Sequence, residues 1–146
     1  MRILITGVAG LLGARLADWI LENTDNEVIG IDNLSGGFME NVHPRVQFYM
    51  YDLSKNDISY VFEEHKPDIV YHFAAYAAEG LSPFIRKFNY ENNLLASVNL
   101  INNSIEHGVK RFVFASSMSV YGNKYEPPFH EDLQQCPIDP YGVAKY

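Results

Sequence analysis

The stretch Ile5–Gly13, "ITGVAGLLG", leaves few folds open to this chain. It places Gly7, Gly10 and Gly13 three residues apart, between an apolar run that reads as a strand (Arg2–Thr6) and a segment of helical period (Leu11–Glu22). Gly7 permits a tight turn, Gly10 lets the backbone approach a bound group, and Gly13 lets the helix lie close on the strand. The spare N–H groups and positive dipole end of a helix opened by Leu11 and Leu12 then face that group, which suits a pyrophosphate. The spacing is one residue longer in the turn than G-x-G-x-x-G.

Further strand-like runs follow at Glu27–Ile31, Val46–Met50, Asp68–Phe73 and Arg111–Ser116, separated by helical stretches at Lys55–His65 and Pro83–His107. Several of the strands are apolar through the middle without alternation, as strands covered on both faces are. Strand and helix taking turns imply right-handed crossovers and an α/β fold, a Rossmann-like doubly wound parallel sheet. Asp32 stands at the end of the second strand, roughly 20 residues after the glycine loop. A carboxylate there accepts hydrogen bonds from ribose hydroxyls and repels a 2'-phosphate, so the expected cofactor is NAD rather than NADP.

Composition narrows the partners. A formal net charge of -7 without a local Lys/Arg cluster argues against nucleic acid. No run approaches a membrane span, and the first residues enter a strand without a leader-like apolar region. The lone Cys136 forms no internal disulfide. A cytoplasmic protein with no membrane partner and no metal is the expectation. Along Pro83–His107, Phe84, Phe88, Leu94, Leu95, Val98, Leu100, Ile101 and Ile105 spread over more than one face, enough to pack on the sheet and on a second protein surface.

With "TGVAGLLG", the segments "YDL", "HFAA", "NNLLASVNL", "SSMSVYG" and "PYGVAKY" occur in order along essentially the whole chain. In these motifs the chain resembles the extended short-chain dehydrogenase/reductases, in particular their nucleotide-sugar epimerase/dehydratase group. The resemblance implies that Asp52 bonds the adenine amino group with Leu53 beside it, and that Phe73, Ala74 and Ala75 line the cofactor. Asn33 joins Asp32 at the adenosine end, and Asn93 is the family's helix asparagine that supports the site. His72 reads as structural rather than as an acid or base. Ala96-Ser97 stand where the family tends to have Gly-Thr.

The resemblance further implies that Ser117, Tyr141 and Lys145 are catalytic. Four residues apart on a helix, Tyr141 and Lys145 share a face, so the lysine charge is expected to lower the tyrosine pKa and Lys145 to reach the nicotinamide ribose. Tyr141 then takes a proton from a sugar hydroxyl, with Ser117 bonded to the same oxygen. Related dehydratases carry an Asp-Glu pair directly after the catalytic hydroxyl residue; here Met118 and Ser119 stand there. That favours a nucleotide-sugar epimerase acting on a UDP-hexose through a 4-keto sugar. An NAD-dependent sugar or carbonyl reductase would use the same residues, and a non-catalytic NAD-binding module would keep only the glycine loop. The family's fold continues beyond the Tyr141 helix, so the 146 residues are expected to be the N-terminal part of a longer enzyme, homodimeric when intact, with Asn123–Tyr146, cut off from its packing partners, less ordered than the sheet.

Overall fold

A computed structural model describes residues 1–146. Five parallel strands, β1 (Arg2–Thr6), β2 (Glu27–Asp32), β3 (Gln47–Met50), β4 (Ile69–His72) and β5 (Arg111–Phe114), form one sheet in the order β3-β2-β1-β4-β5. The chain leaves β1 toward β2 and β3 on one side, then crosses back over it to β4 and β5. Adjacent loops therefore part above the ends of β1 and β4, opening a crevice at the carboxyl ends of the strands.

The register explains both faces. Leu4 of β1 lies level with Ile29 of β2 and Val70 of β4, and all three are fully buried. They pack under α2 (Ser59–His65) and α4 (Ala96–Glu106), against Phe62, Val61 and Leu100. Ile3, Ile5 and Val28 point the other way, under Ala17, Ile20 and Leu21 of α1 (Leu11–Asn23). Burying each large side chain of this kind contributes about 1.5–3 kcal/mol. β5 pairs with β4 alone, and none of its residues is fully buried.

The sequence-derived boundaries shift in both strands and helices. β2 extends to Asp32, whereas Val46, Asp68, Phe73, Ala115 and Ser116 fall outside their strands. The helix expected over Lys55–His65 begins at Ser59, because the Asp52 carbonyl first accepts from Lys55 and Asn56 in a turn and Asp57 then caps the Ser59 N–H at 2.9 Å. The long helix begins three residues late, as α3 (Arg86–Asn89), after a 3-10 turn (Glu79–Leu81) and a tight turn around Pro83, which has no N–H to donate. It then widens into a π-helical stretch, Tyr90–Leu95, before α4. From the first turn of α4 the Ser97 hydroxyl donates back to the Asn93 carbonyl of that stretch at 2.6 Å.

The last helix, α5 (Pro140–Lys145), is only six residues long yet seated. Asp139 caps it by accepting the Gly142 N–H at 2.8 Å, and Pro140 occupies its first turn without wasting a donor. Tyr141, Ala144 and Lys145 are all buried, so this terminal turn keeps more packing than its length suggests. No helix is long and apolar enough to cross a membrane.

Candidate active site

The glycine turn is built by close approach. Gly7 takes φ +71°, and a Cβ there would sit 2.7 Å from the Ala74 nitrogen at the end of β4. Gly13 faces the turn from the first coil of α1, where a Cβ would run into the Gly7 carbonyl oxygen. The Gly10 N–H closes the turn onto the Gly7 carbonyl at 3.1 Å, and α1 starts with no side-chain cap on its first-turn N–H groups. An uncapped helix start behind a hugging turn is what a phosphate ligand needs.

A cleft of about 470 Å³ opens above this turn. Gly7 and Gly10 form part of its floor, Asp32 and Asn33 stand at the end of β2, Asp52 and Leu53 after β3, and Phe73, Ala74 and Ala75 after β4. Those residues, separate in sequence, are brought to one crevice by the strand order. Five other expected cofactor residues, Leu11, Leu12, Gly13, Asn93 and Lys145, are not in the lining. Gly13 packs behind the turn, and Leu11 and Leu12 project to solvent at 77% and 63% exposure. Asn93 is 1% exposed and its amide is spent on protein groups: it accepts from the Tyr76 N–H at 2.7 Å and donates to the Tyr76 carbonyl and to Asn89. It shapes the cleft wall rather than presenting its amide to the cleft.

Asp32 ties the site together. One carboxylate oxygen accepts the Ala9 N–H of the glycine turn at 3.0 Å, and the other accepts the Leu34 N–H at 2.8 Å, holding Leu34 at φ +57°. A carboxylate with two of about four acceptor positions used retains room for ribose hydroxyls. Burial pushes the Asp52 carboxyl up, but hydrogen bonds from Ser54 and Lys55 outweigh it and leave the group below the usual carboxylate range. The segment after Asn33 carries lining the sequence did not reveal. Ser35, Gly36 and Gly37 reach the cleft, and the Asn41 amide and Phe38 N–H both donate to the Ala9 carbonyl.

Beside the cleft, β5 delivers Ser117 toward α5. The Ser117 hydroxyl accepts the Ser119 N–H at 3.2 Å and lies 3.0 Å from the Ser119 hydroxyl. Lys145 shares the Tyr141 face, its amine 6.0 Å from the centre of that ring and 4.9 Å from the Phe114 ring, donating to the Ala115 carbonyl at 3.0 Å. Burial first, with the Glu79 and Asp139 carboxylates adding to it, pushes the Tyr141 phenol above its ordinary range, while the neighbouring Ser117 hydroxyl works in the opposite direction. The net direction is thus opposite to the one expected from Lys145, whose amine donates to the Ala115 carbonyl and whose own pKa burial lowers to about 8.

His72 is 1% exposed, between the Thr6 hydroxyl at 2.6 Å and the Ser97 hydroxyl at 2.8 Å. Since Ser97 already donates to the Asn93 carbonyl, it accepts from the histidine Nε2–H, which leaves Nδ1 to accept from Thr6. The neutral ring satisfies every partner, and burial lowers its pKa to about 3, so His72 is structural.

Lys145 has a measurable cost. Its folded pKa lies below its ordinary 10.5, so between about 8 and 10.5 the unfolded chain binds more protons and stability rises with pH. Below that window the charged, buried amine costs about 3 kcal/mol. Lys145→Met is expected to melt higher than the parent at pH 7 and to lose the alkaline rise, as followed by thermal melts across that range. A lower melt at pH 7 would contradict the burial argument.

The NAD dependent epimerase/dehydratase family matches residues 3–146. A UDP-glucose 4-epimerase of Streptococcus mutans is 39% identical over 99% of this chain and 44% of its own length. The crystal structure of a UDP-glucose 4-epimerase with UDP-glucose from Thermotoga maritima superposes with a TM-score of 0.94 at 36% identity, covering 100% of this chain and 48% of that one. A Thermus thermophilus UDP-glucose 4-epimerase in complex with NAD gives 0.90 at 34% identity, over 99% of this chain and 47% of that one. The chain spans a little under half the length of these relatives.

Proposed function

This chain belongs to the NAD-dependent epimerase/dehydratase family, and from that premise we propose that it supplies the NAD site and the proton-transfer residues of a UDP-hexose 4-epimerase. The observation that carries the proposal is one juxtaposition: the cleft lining runs through Phe73–Ala78 after β4, and the Ser117, Tyr141 and Lys145 corner follows the neighbouring β5. The residues fit the cofactor. Gly7 and Gly13 let backbone and helix close around a pyrophosphate, the uncapped start of α1 faces its charge, and Asp32 keeps acceptor positions for the ribose.

When bound, NAD supplies the hydride acceptor and donor that a change of configuration at a sugar carbon requires. The chain's own part is proton handling. Tyr141 takes the proton of the sugar 4-hydroxyl and returns it, and Ser117 hydrogen-bonds the same oxygen as charge develops on it. Lys145, once freed from the Ala115 carbonyl, brings positive charge toward the phenol and serves the ribose. Directly after Ser117 come an exposed Met118 and a buried Ser119, which offer no acid–base pair for water elimination, and this supports epimerisation over dehydration.

The reading includes a homodimer and a cytoplasmic location. Leu94, Val98, Ile101 and Ile105 follow one another at spacings of four and three along the helix and remain exposed, as do Val143 and Tyr146 at α5. A second copy that lays the same stripe against this one would cover both.

Two experiments test the function. The complete protein that carries this chain should interconvert UDP-glucose and UDP-galactose, followed by proton NMR; no conversion by a folded, NAD-bound sample would overturn the epimerase reading. Asp32→Ala is expected to weaken NAD by about 10- to 100-fold in calorimetry, because charge-assisted ribose bonds contribute about 1.5–3 kcal/mol. Unchanged affinity would remove Asp32 from the site.

A further inference from the structure

Asn89 has no counterpart in the motifs that mark the site, yet it is 1% exposed and both ends of its amide are committed. Its oxygen accepts from the Asn93 amide at 2.8 Å. Its nitrogen donates at 2.9 Å to the carbonyl of Pro140, the residue immediately before Tyr141. Asn93 in turn grips the backbone of Tyr76 through both its N–H and its carbonyl, and Tyr76 lines the cleft. A continuous run of hydrogen bonds therefore leads from the cleft wall, through two asparagines on one helix, to the first turn of α5.

α5 is six residues long and is seated by burial of Tyr141, Ala144 and Lys145. Its other hydrogen-bonded anchors are the Asp139 cap, which the Ser82 hydroxyl reaches at 3.3 Å, the Ser116 hydroxyl on the Lys145 carbonyl at 2.7 Å, and the Lys145 amine on the Ala115 carbonyl at 3.0 Å. A helix this short has too few internal bonds to hold its own start in place. The Pro140 carbonyl is bonded to the backbone unit from which Tyr141 projects, so a donor fixed there sets where the phenol stands. The spacing is also specific. Asn89 and Asn93 are four residues apart and straddle the beginning of the π-helical stretch, which keeps both on the inner face while Tyr90 and Asn92 are less buried.

The geometry points to Asn89 as a positioning residue for Tyr141, holding the start of α5 by its donation to the Pro140 carbonyl and coupling that start to the cleft wall through Asn93. The inference rests on the reading of Tyr141 as the proton-transfer group. Asn89 touches neither substrate nor cofactor on this account, so it acts on turnover through Tyr141 alone.

The discriminating substitution is Asn89→Asp, which keeps size and the acceptor for Asn93 but replaces the donor to Pro140 with a second acceptor; Asn89→Ala removes both. In the complete protein that carries this chain, labelled with 3-fluorotyrosine, the Tyr141 resonance is identified by its loss in Tyr141→Phe. Asn89→Asp is expected to move that resonance and leave those of Tyr49 and Tyr71 in the sheet unchanged. With UDP-glucose, kcat should fall about 10- to 100-fold with KM little changed, the size of effect a misplaced reacting group produces, and NAD affinity should be unaltered. If Asn89 is only a buried structural amide, melting temperature falls in both variants while the Tyr141 resonance and kcat stay as in the parent, which overturns the inference. If Asn89→Asp fails to fold, the same readouts on Asn89→Ala decide. Should the parent not turn over UDP-glucose at all, the epimerase reading fails, and the fluorine resonance still decides whether Asn89 places Tyr141.

Discussion

Replacing Tyr141 with phenylalanine is expected to lower kcat for UDP-hexose interconversion by about 10²- to 10⁴-fold, the usual contribution of a positioned acid–base group, while the fold and NAD affinity persist. The substitution removes one oxygen and leaves the ring, which packs at 9% exposure in α5. The oxygen matters because of what surrounds it. In the ligand-free state the phenol is held protonated, by burial first and then by the Glu79 and Asp139 carboxylates. Taking a proton from a sugar hydroxyl needs the opposite tendency, and the charge able to supply it is the Lys145 amine, now 6.0 Å from the ring centre and bonded to the Ala115 carbonyl. On the proposed reading, full activity requires both the hydroxyl and a reorientation of Lys145. Steady-state kinetics beside calorimetry separates the roles. A Tyr141→Phe protein with undiminished kcat would exclude the phenol from proton transfer, and one that lost NAD binding instead would make it a binding group.

The crevice was legible in the sequence because its parts are local. Gly7, Gly10 and Gly13 mark a turn within one strand-helix junction, and Asp32, Asp52 and Phe73–Ala75 each close a strand, so a parallel sheet brings them together whatever the finer packing does. What escaped depends on contacts between distant segments or on small changes of helical pitch. The π-helical stretch Tyr90–Leu95 is hidden because the apolar residues from Phe84 to Ile105 already cover several faces, and one extra residue in a turn leaves that pattern unreadable. Nothing in the pattern of Ser35–Asn41 shows that Phe38 and Asn41 fold the segment back onto Ala9. The Tyr141–Lys145 spacing was read correctly as one shared face, but spacing does not say where a flexible amine points, and the Ala115 carbonyl competes for it. Asn93 was read as supporting the site, and that its amide does so by bonding Tyr76 and Asn89 is revealed only by the packing.

Gly13→Ala should strongly damage both the fold and the phosphate site. The new carbon would meet the Gly7 carbonyl oxygen and lie 2.8 Å from both the Gly7 carbonyl carbon and the Val8 Cα, all of them backbone atoms. A flexible side chain could turn away; this turn cannot, because the Gly7 N–H is bonded to the Ile31 carbonyl at 2.8 Å and the Ala9 N–H to Asp32 at 3.0 Å. Relief must come from α1 lifting off β1, which loosens Ala17, Ile20 and Leu21 from the sheet. Overpacking of this kind costs about 1–3 kcal/mol, and at about 2–4 °C per kcal/mol for a domain of this size the melting temperature should fall by roughly 2–12 °C. NAD affinity should drop further than stability does, since the helix start and the glycine turn both bind phosphate and the substitution separates them. Gly80→Ala is the matched control, because a Cβ there meets nothing within 4 Å. If Gly13→Ala melts and binds NAD as Gly80→Ala does, helix α1 is not seated on the turn as described, and the phosphate site assigned to Gly7, Gly10 and the first turn of α1 would have to be abandoned.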